Sequence, residues 1–318
     1  MLAAGAGNGE KGPGITLDPL SPAQDGDTLR YRHVELSIRR EERRAELTIR
    51  GPEGAPPSTA EAIQAAGADQ WSLRCFREID DALLRLRFHY LDVGVVIVRT
   101  RGALDNVLAA DQGLSDNRGQ WLANEILRHQ ARVLRRLDIS SRSLFSLVDE
   151  GSCFAGSLLE IALASDRVFM LEDDDGKVAV AVSPLNRDAF PMYTGTSRLQ
   201  TRFIGEPELV GRVLERQGHI ATTDADELGL VTVAADDIDW EDDVRIAIEE
   251  RASMSPDALT GMEASLRFPG PETMESKIFA RLSAWQNWIF QRPNAVGPQG
   301  ALTKYGEPDR AVFDWTRC

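Results

Sequence analysis

Cysteine and histidine are scarce in this chain, three and four in 318 residues. Three cysteines (Cys75, Cys153, Cys318) do not make a disulfide framework, and the histidines show no metal-ligand spacing, so a metal-free protein is expected. Cys153 has no histidine near it in sequence to activate it and reads as a small buried filler. No apolar run approaches eighteen residues, so no membrane span is expected. Met1 to Pro13 lacks the charged-then-apolar layout of a signal peptide, and a cytoplasmic location follows as the expectation. A Gly-x-Gly-x-x-Gly and a phosphate loop are both missing, which leaves nucleotide hydrolysis and hydride transfer without support. Basic residues are also in deficit, 36 against 50 acidic ones. The resulting net charge of −14 repels phosphate backbones, and nucleic acid is not an expected partner.

What is present is an ordinary globular composition, 42% apolar and 27% charged. That is enough for one large core with an appendage. Residues 1 to about 29 carry no apolar period and read as a disordered leader. His33–Ile38 and Ala45–Ile49 alternate across a charged turn, as a β-hairpin does. Trp71–Phe88 and Trp121–Leu137 show helical spacing. Val93–Val98 and Leu144–Val148 are continuous apolar strands of the kind buried on both faces. A small-residue helix is expected at about Gly156–Ala164. Strands are expected at Val168–Leu171 and Val178–Val182, with the acidic run Asp173-Asp174-Asp175-Gly176 as a solvated hairpin turn rather than a calcium loop. Helices dominate from there to the end. The fold class is therefore α/β: a core over 30–235 and a helical C-terminal region over 236–318.

Three segments, in order, resemble the enoyl-CoA hydratase/isomerase (crotonase) superfamily. Val95–Thr100 followed by Val107–Asp111 is similar to that family's strand and its small-residue loop. Val148–Asp166 is similar to its glycine-rich turn into a helix, with Gly151, Ala155-Gly156-Ser157, Glu160 and Asp166. Asp226–Val231 resembles the leucine–glycine–leucine–valine segment that closes the core. Within the superfamily, Ile139–Phe145, Met254–Gly261 and Trp285–Ala295 look like the C-terminal half of the ring-opening benzoyl-CoA-dihydrodiol lyases. Those enzymes carry two crotonase units in one chain, with the standard motifs in the N-terminal one.

The resemblance implies a crotonase-type spiral of repeated ββα units and an acyl-CoA-processing lyase or hydratase, active in aromatic degradation. It implies an acyl-CoA thioester as substrate, with coenzyme A as part of the substrate and no separate cofactor. It also implies a trimer-based homo-oligomer, or pairing with a partner crotonase unit. Such chemistry stabilises a thioester enolate with two backbone N–H groups. By position these are the N–H of Ala109 and that of Gly156 or Ser157, the latter at a helix start that favours an anion. Glu160, among Leu158, Leu159, Ile161 and Ala162, is the acid/base candidate, because desolvation raises a carboxyl pKa towards neutrality. The second glutamate of the hydratases is missing, since Ser183-Pro184 stands in its place. Asp188 is the substitute carboxylate within reach in sequence. Two other readings stay open: a non-catalytic crotonase-fold subunit or scaffold that shapes a partner, and a crotonase repurposed for a biosynthetic pathway.

Overall fold

The computed structural model describes residues 14–173, 175–267 and 272–316. An antiparallel meander opens the fold: β1 (Ala23–Asp25), β2 (Thr28–Arg30), β3 (Val34–Arg39) and β4 (Arg44–Arg50). The boundary expected near residue 29 therefore falls inside a sheet. Residues 23–30 are strands, because Leu29 faces Leu36 across the β2–β3 ladder and is buried there. The part of the expected leader before Gly14 lies outside the described residues.

After β4 the chain winds. Helices α1 (Ala60–Ala66) and α2 (Trp71–His89) lead to β5 (Val95–Arg101), which lies parallel to β4. Next, α3 (Leu104–Asp116) and α4 (Trp121–Asp138) lead to β6 (Ser143–Val148), and α5 (Gly156–Leu163) leads to β7 (Arg167–Leu171). Each crossover adds one parallel strand at the same edge. The last strand, β10 (Val233–Ala235), pairs with β7 and completes an eight-stranded sheet.

Between β7 and β10 the chain leaves this sheet. Strand β8 (Ala179–Val180) does not form the expected hairpin with β7. It pairs instead with β9 (Ile220–Ala221), because β7 already has β6 on one edge and β10 on the other. Three short helices fill this excursion: α6 (Arg198–Arg202), α7 (Glu208–Leu214) and α8 (Thr222–Glu227). Beyond β10 the described chain holds only helices and turns. They are α9 (Trp240–Ala252), α10 (Pro256–Arg267), α11 (Met274–Ser276), a π-helical stretch at Lys277–Leu282, α12 (Ser283–Ile289) and α13 (Pro293–Val296).

The parallel strands are apolar on both faces because both faces are covered. Val96, Val98, Leu144 and Val148 join the main core under α2, α4 and α5. The alternate residues Val95, Ile97, Phe145, Leu147 and Phe169 pack against Val244, Ala247, Ile248 and Ala252 of α9. The rings of Phe145 and Phe169 lie 5.8 Å apart and tilted. Burying each such side chain contributes about 1.5–3 kcal/mol, so α9 is held by apolar contact.

One expected loop is a helix. Val107–Asp111 lies inside α3, whose buried face runs Leu104, Val107, Ala110, Asp111 and Leu114 at helical spacing. Two alanines stand where the resemblance places a small-residue loop with glycine, and alanine favours helix by about 1 kcal/mol over glycine.

Candidate functional site

The polar centre of the fold is assembled around the start of α5. Gly151 and Gly156 both have positive φ (+80° and +44°), a conformation glycine adopts without a Cβ penalty, and they turn the chain from β6 into α5. Ala155 makes a parallel bridge with Ala181, which lays the segment 181–186 alongside the helix start. Ser183 caps a single 3₁₀ turn, Pro184–Asn186, with proline at its first position. The Asn186 side chain accepts the Ser183 N–H (2.8 Å) and donates to Gly156 O (2.9 Å) and to Glu160 Oε1 (2.7 Å). The place where a second glutamate would stand is thus a capped turn that ties the segment to Glu160.

Glu160 is 1% exposed. Its Oε2 accepts from Arg198 Nη1 at 2.8 Å. Arg198 is the first residue of α6, positioned by the capping box of Ser197 and Gln200. It also holds Asp138, the last residue of α4, through Nε and Nη2 at 2.9–3.1 Å. One guanidinium therefore serves two buried carboxylates. Burial raises the pKa of both Glu160 and Asp138, and the Arg198 charge opposes it only in part. A cleft of about 280 Å³ opens beside Arg198 and Asp138, lined also by Arg202, Met192 and Arg267.

The expected enolate-binding donors are not assembled. Ala109 lies in the second turn of α3, beyond the four N–H groups a helix start leaves free, and its side is exposed. The Gly156 N–H donates to Ala181 O (2.9 Å). The Ser157 N–H donates to Asp111 Oδ2 (2.6 Å). Asp188 does not reach Glu160 either. It is exposed just past the 3₁₀ turn, on an open cleft it shares with Arg118, Arg135 and Pro191. Burial pushes the Cys153 thiol up to about 11, which keeps it protonated at neutral pH.

Four residues of this centre escaped the sequence reading as site members: Asp111, Asp138, Asn186 and Arg198. For Arg198 a local signal existed, the Ser197-x-x-Gln200 capping box that orients its turn. Ser183-Pro184 carries a comparable cap-plus-proline signature for Asn186. Nothing local marks Asp138, a helix-end aspartate like many others.

The architecture has relatives among solved structures. An enoyl-CoA hydratase from Geobacillus kaustophilus HTA426 superposes with a TM-score of 0.64, covering 91% of this chain and 98% of that one at 17% identity. An enoyl-CoA hydratase/isomerase from Cupriavidus metallidurans CH34 gives 0.61, with 89% and 96% covered at 16% identity. The chain has the crotonase fold. At such identities the likeness concerns the fold and not the chemistry. No family model matches the chain. Among curated proteins, the benzoyl-CoA-dihydrodiol lyase of Aromatoleum evansii is 48% identical over 305 residues. The match takes in 96% of this chain but 55% of that enzyme, so this crotonase-fold chain spans about half the length of its relative. Among the described residues, no helix is long and apolar enough to cross a membrane, and no cluster of three potential metal ligands occurs.

Proposed function

We propose that this chain works in acyl-CoA lyase chemistry on a benzoyl-CoA dihydrodiol, as one crotonase-fold unit of the complete enzyme. The observation that carries this reading is the 48% identity sustained over 305 residues with a lyase of that name. Within it, the unit's own polar centre supports a structural role. Glu160 is held by two donors, and the N–H groups that would meet an enolate oxygen already have acceptors. The chemistry then belongs to a second crotonase-fold unit, and this chain supplies shape and stability.

Association has its own support in the C-terminal helices. Met274, Phe279 and Leu282 are all more than half exposed, and Phe290 nearly so, a grouping that a monomeric surface seldom leaves open. The test is an assay for consumption of the dihydrodiol thioester, run on this chain alone and with a second crotonase-fold unit of a benzoyl-CoA-dihydrodiol lyase supplied in trans. Turnover only in the mixture is the expected result. Turnover by the chain alone would overturn the supporting role, and no turnover in either would overturn the lyase reading.

A further inference from the structure

Asp111 reaches the start of α5 from the third turn of α3. It is 0% exposed, and among the described residues no arginine, lysine or histidine forms an ion pair with it. Its Oδ2 accepts the Ser157 N–H at 2.6 Å and lies 3.5 Å from Ser183 Oγ, while Oδ1 has no hydrogen-bond partner. A buried carboxyl without a cation is costly to ionise. What it meets here is the start of an eight-residue helix, whose first N–H groups need acceptors.

The glycine at this turn has a matching reason. A Cβ built on Gly156 would run into Asp111 Oδ2, with Ser183 Oγ 2.9 Å away. The small residue at this turn therefore makes room for the chain's own carboxylate.

We propose that the Asp111 carboxyl group occupies the N-terminal end of α5, so that this helix start is closed to a thioester by the chain's own side chain. The proposal rests on the reading of this unit as the supporting half, and it names how the helix start is closed. Burial pushes the Asp111 carboxyl up to about 7, against the hydrogen bonds from Ser157 and Ser183, as expected of a charge with no cation to balance it.

The test is chemical rescue. Asp111→Ala removes a group the size of formate and leaves the helix start facing a void. Sodium formate, compared with sodium chloride at equal ionic strength, should raise the melting temperature of Asp111→Ala by roughly 3 °C or more, the effect of a ligand well above its Kd. It should leave the wild type and the isosteric Asp111→Asn unmoved. A folded Asp111→Ala chain with no formate-specific rise would overturn the proposal. A second arm on the wild type decides the matter even where Asp111→Ala does not fold. S-acetylpantetheine should leave the wild-type melting temperature unchanged, and a rise that Gly156→Val abolishes would sink the idea. Neither arm reads turnover, so failure here leaves the lyase reading standing, and failure of that reading leaves both arms interpretable.

Discussion

Replacing Glu160 by glutamine keeps size and shape, and its outcome can be worked from three side chains. Both carboxylate oxygens are acceptors, one for Asn186 Nδ2 (2.7 Å) and one for Arg198 Nη1 (2.8 Å). Glutamine offers one acceptor oxygen and an NH₂, so one of the two donors must face another donor. Asn186 cannot relieve this by turning its amide, because its Oδ1 already holds the Ser183 N–H. The loss is one buried hydrogen bond to a charged or polar partner, about 1–3 kcal/mol. Removing a desolvated charge offsets part of that, since each unit by which a carboxyl is raised is worth about 1.4 kcal/mol. Loss of the carboxylate also leaves Arg198 fully to Asp138, a one-to-one pair with bidentate geometry. The net expectation for Glu160→Gln at pH 7 is a destabilisation of about 1–2 kcal/mol. Urea unfolding followed by tryptophan fluorescence measures it, with Asp138→Asn and the double variant completing a cycle. Coupling through the shared arginine should exceed about 0.5 kcal/mol. An unchanged or raised urea midpoint would refute the reasoning. A fall of about 10²–10⁴-fold in turnover by a fully folded Glu160→Gln enzyme would restore the acid/base role instead.

Other outcomes follow from the same structure. Asp111 has a folded pKa of about 7 against 3.8 for the unconstrained group, so the folded state holds a proton that the unfolded one releases between those values. Its contribution to stability is therefore full below about pH 4 and lost as pH rises to about 7. The stability of Asp111→Asn relative to wild type should thus climb across that window in melts run at pH 4.5 and 8, and a flat difference would contradict the assignment. Arg267 of α10 donates to Leu137 O and Ala164 O at the ends of α4 and α5 and pairs with Asp166 at 2.6 Å. Arg267→Met should cost about 3–5 kcal/mol by stranding these partners, readable as a lowered urea midpoint. Phe145→Ala, between β6 and α9, should cost a similar 3–5 kcal/mol by calorimetry. Light scattering at micromolar concentration should give more than the monomer mass. Phe279→Ser, at a ring 74% exposed, should shift it towards the monomer without loss of folding.

Much of this was legible along the chain wherever one period or one local signal decides the structure. The apolar spacing of Trp71–Phe88 and Trp121–Leu137 anticipated α2 and α4, and the unbroken β-branched run anticipated β5. Those patterns are local because a helix face or a doubly covered strand needs only its own residues to be apolar in register. The order of motifs anticipated the crotonase fold for the same reason, since each crossover is a local unit.

What local pattern could not decide was where the chain would spend its hydrogen-bonding groups. Val107–Asp111 matched a loop motif in order, yet helical packing of Leu104, Val107 and Leu114 turned it into α3 and carried Asp111 inward while leaving Ala109 outside. The apolar strand after the acidic turn follows β7 as a hairpin partner would, but β7 had no free edge for it. Glu160 was correctly placed on a buried helix, but its partners Asn186 and Arg198 come from separate elements, and Arg198 is shared with Asp138, 60 residues away in sequence. Composition and period told which segments would be helix, strand and core. Only the tertiary structure decided which donor met which acceptor, because that pairing is set by elements far apart in sequence and close in space.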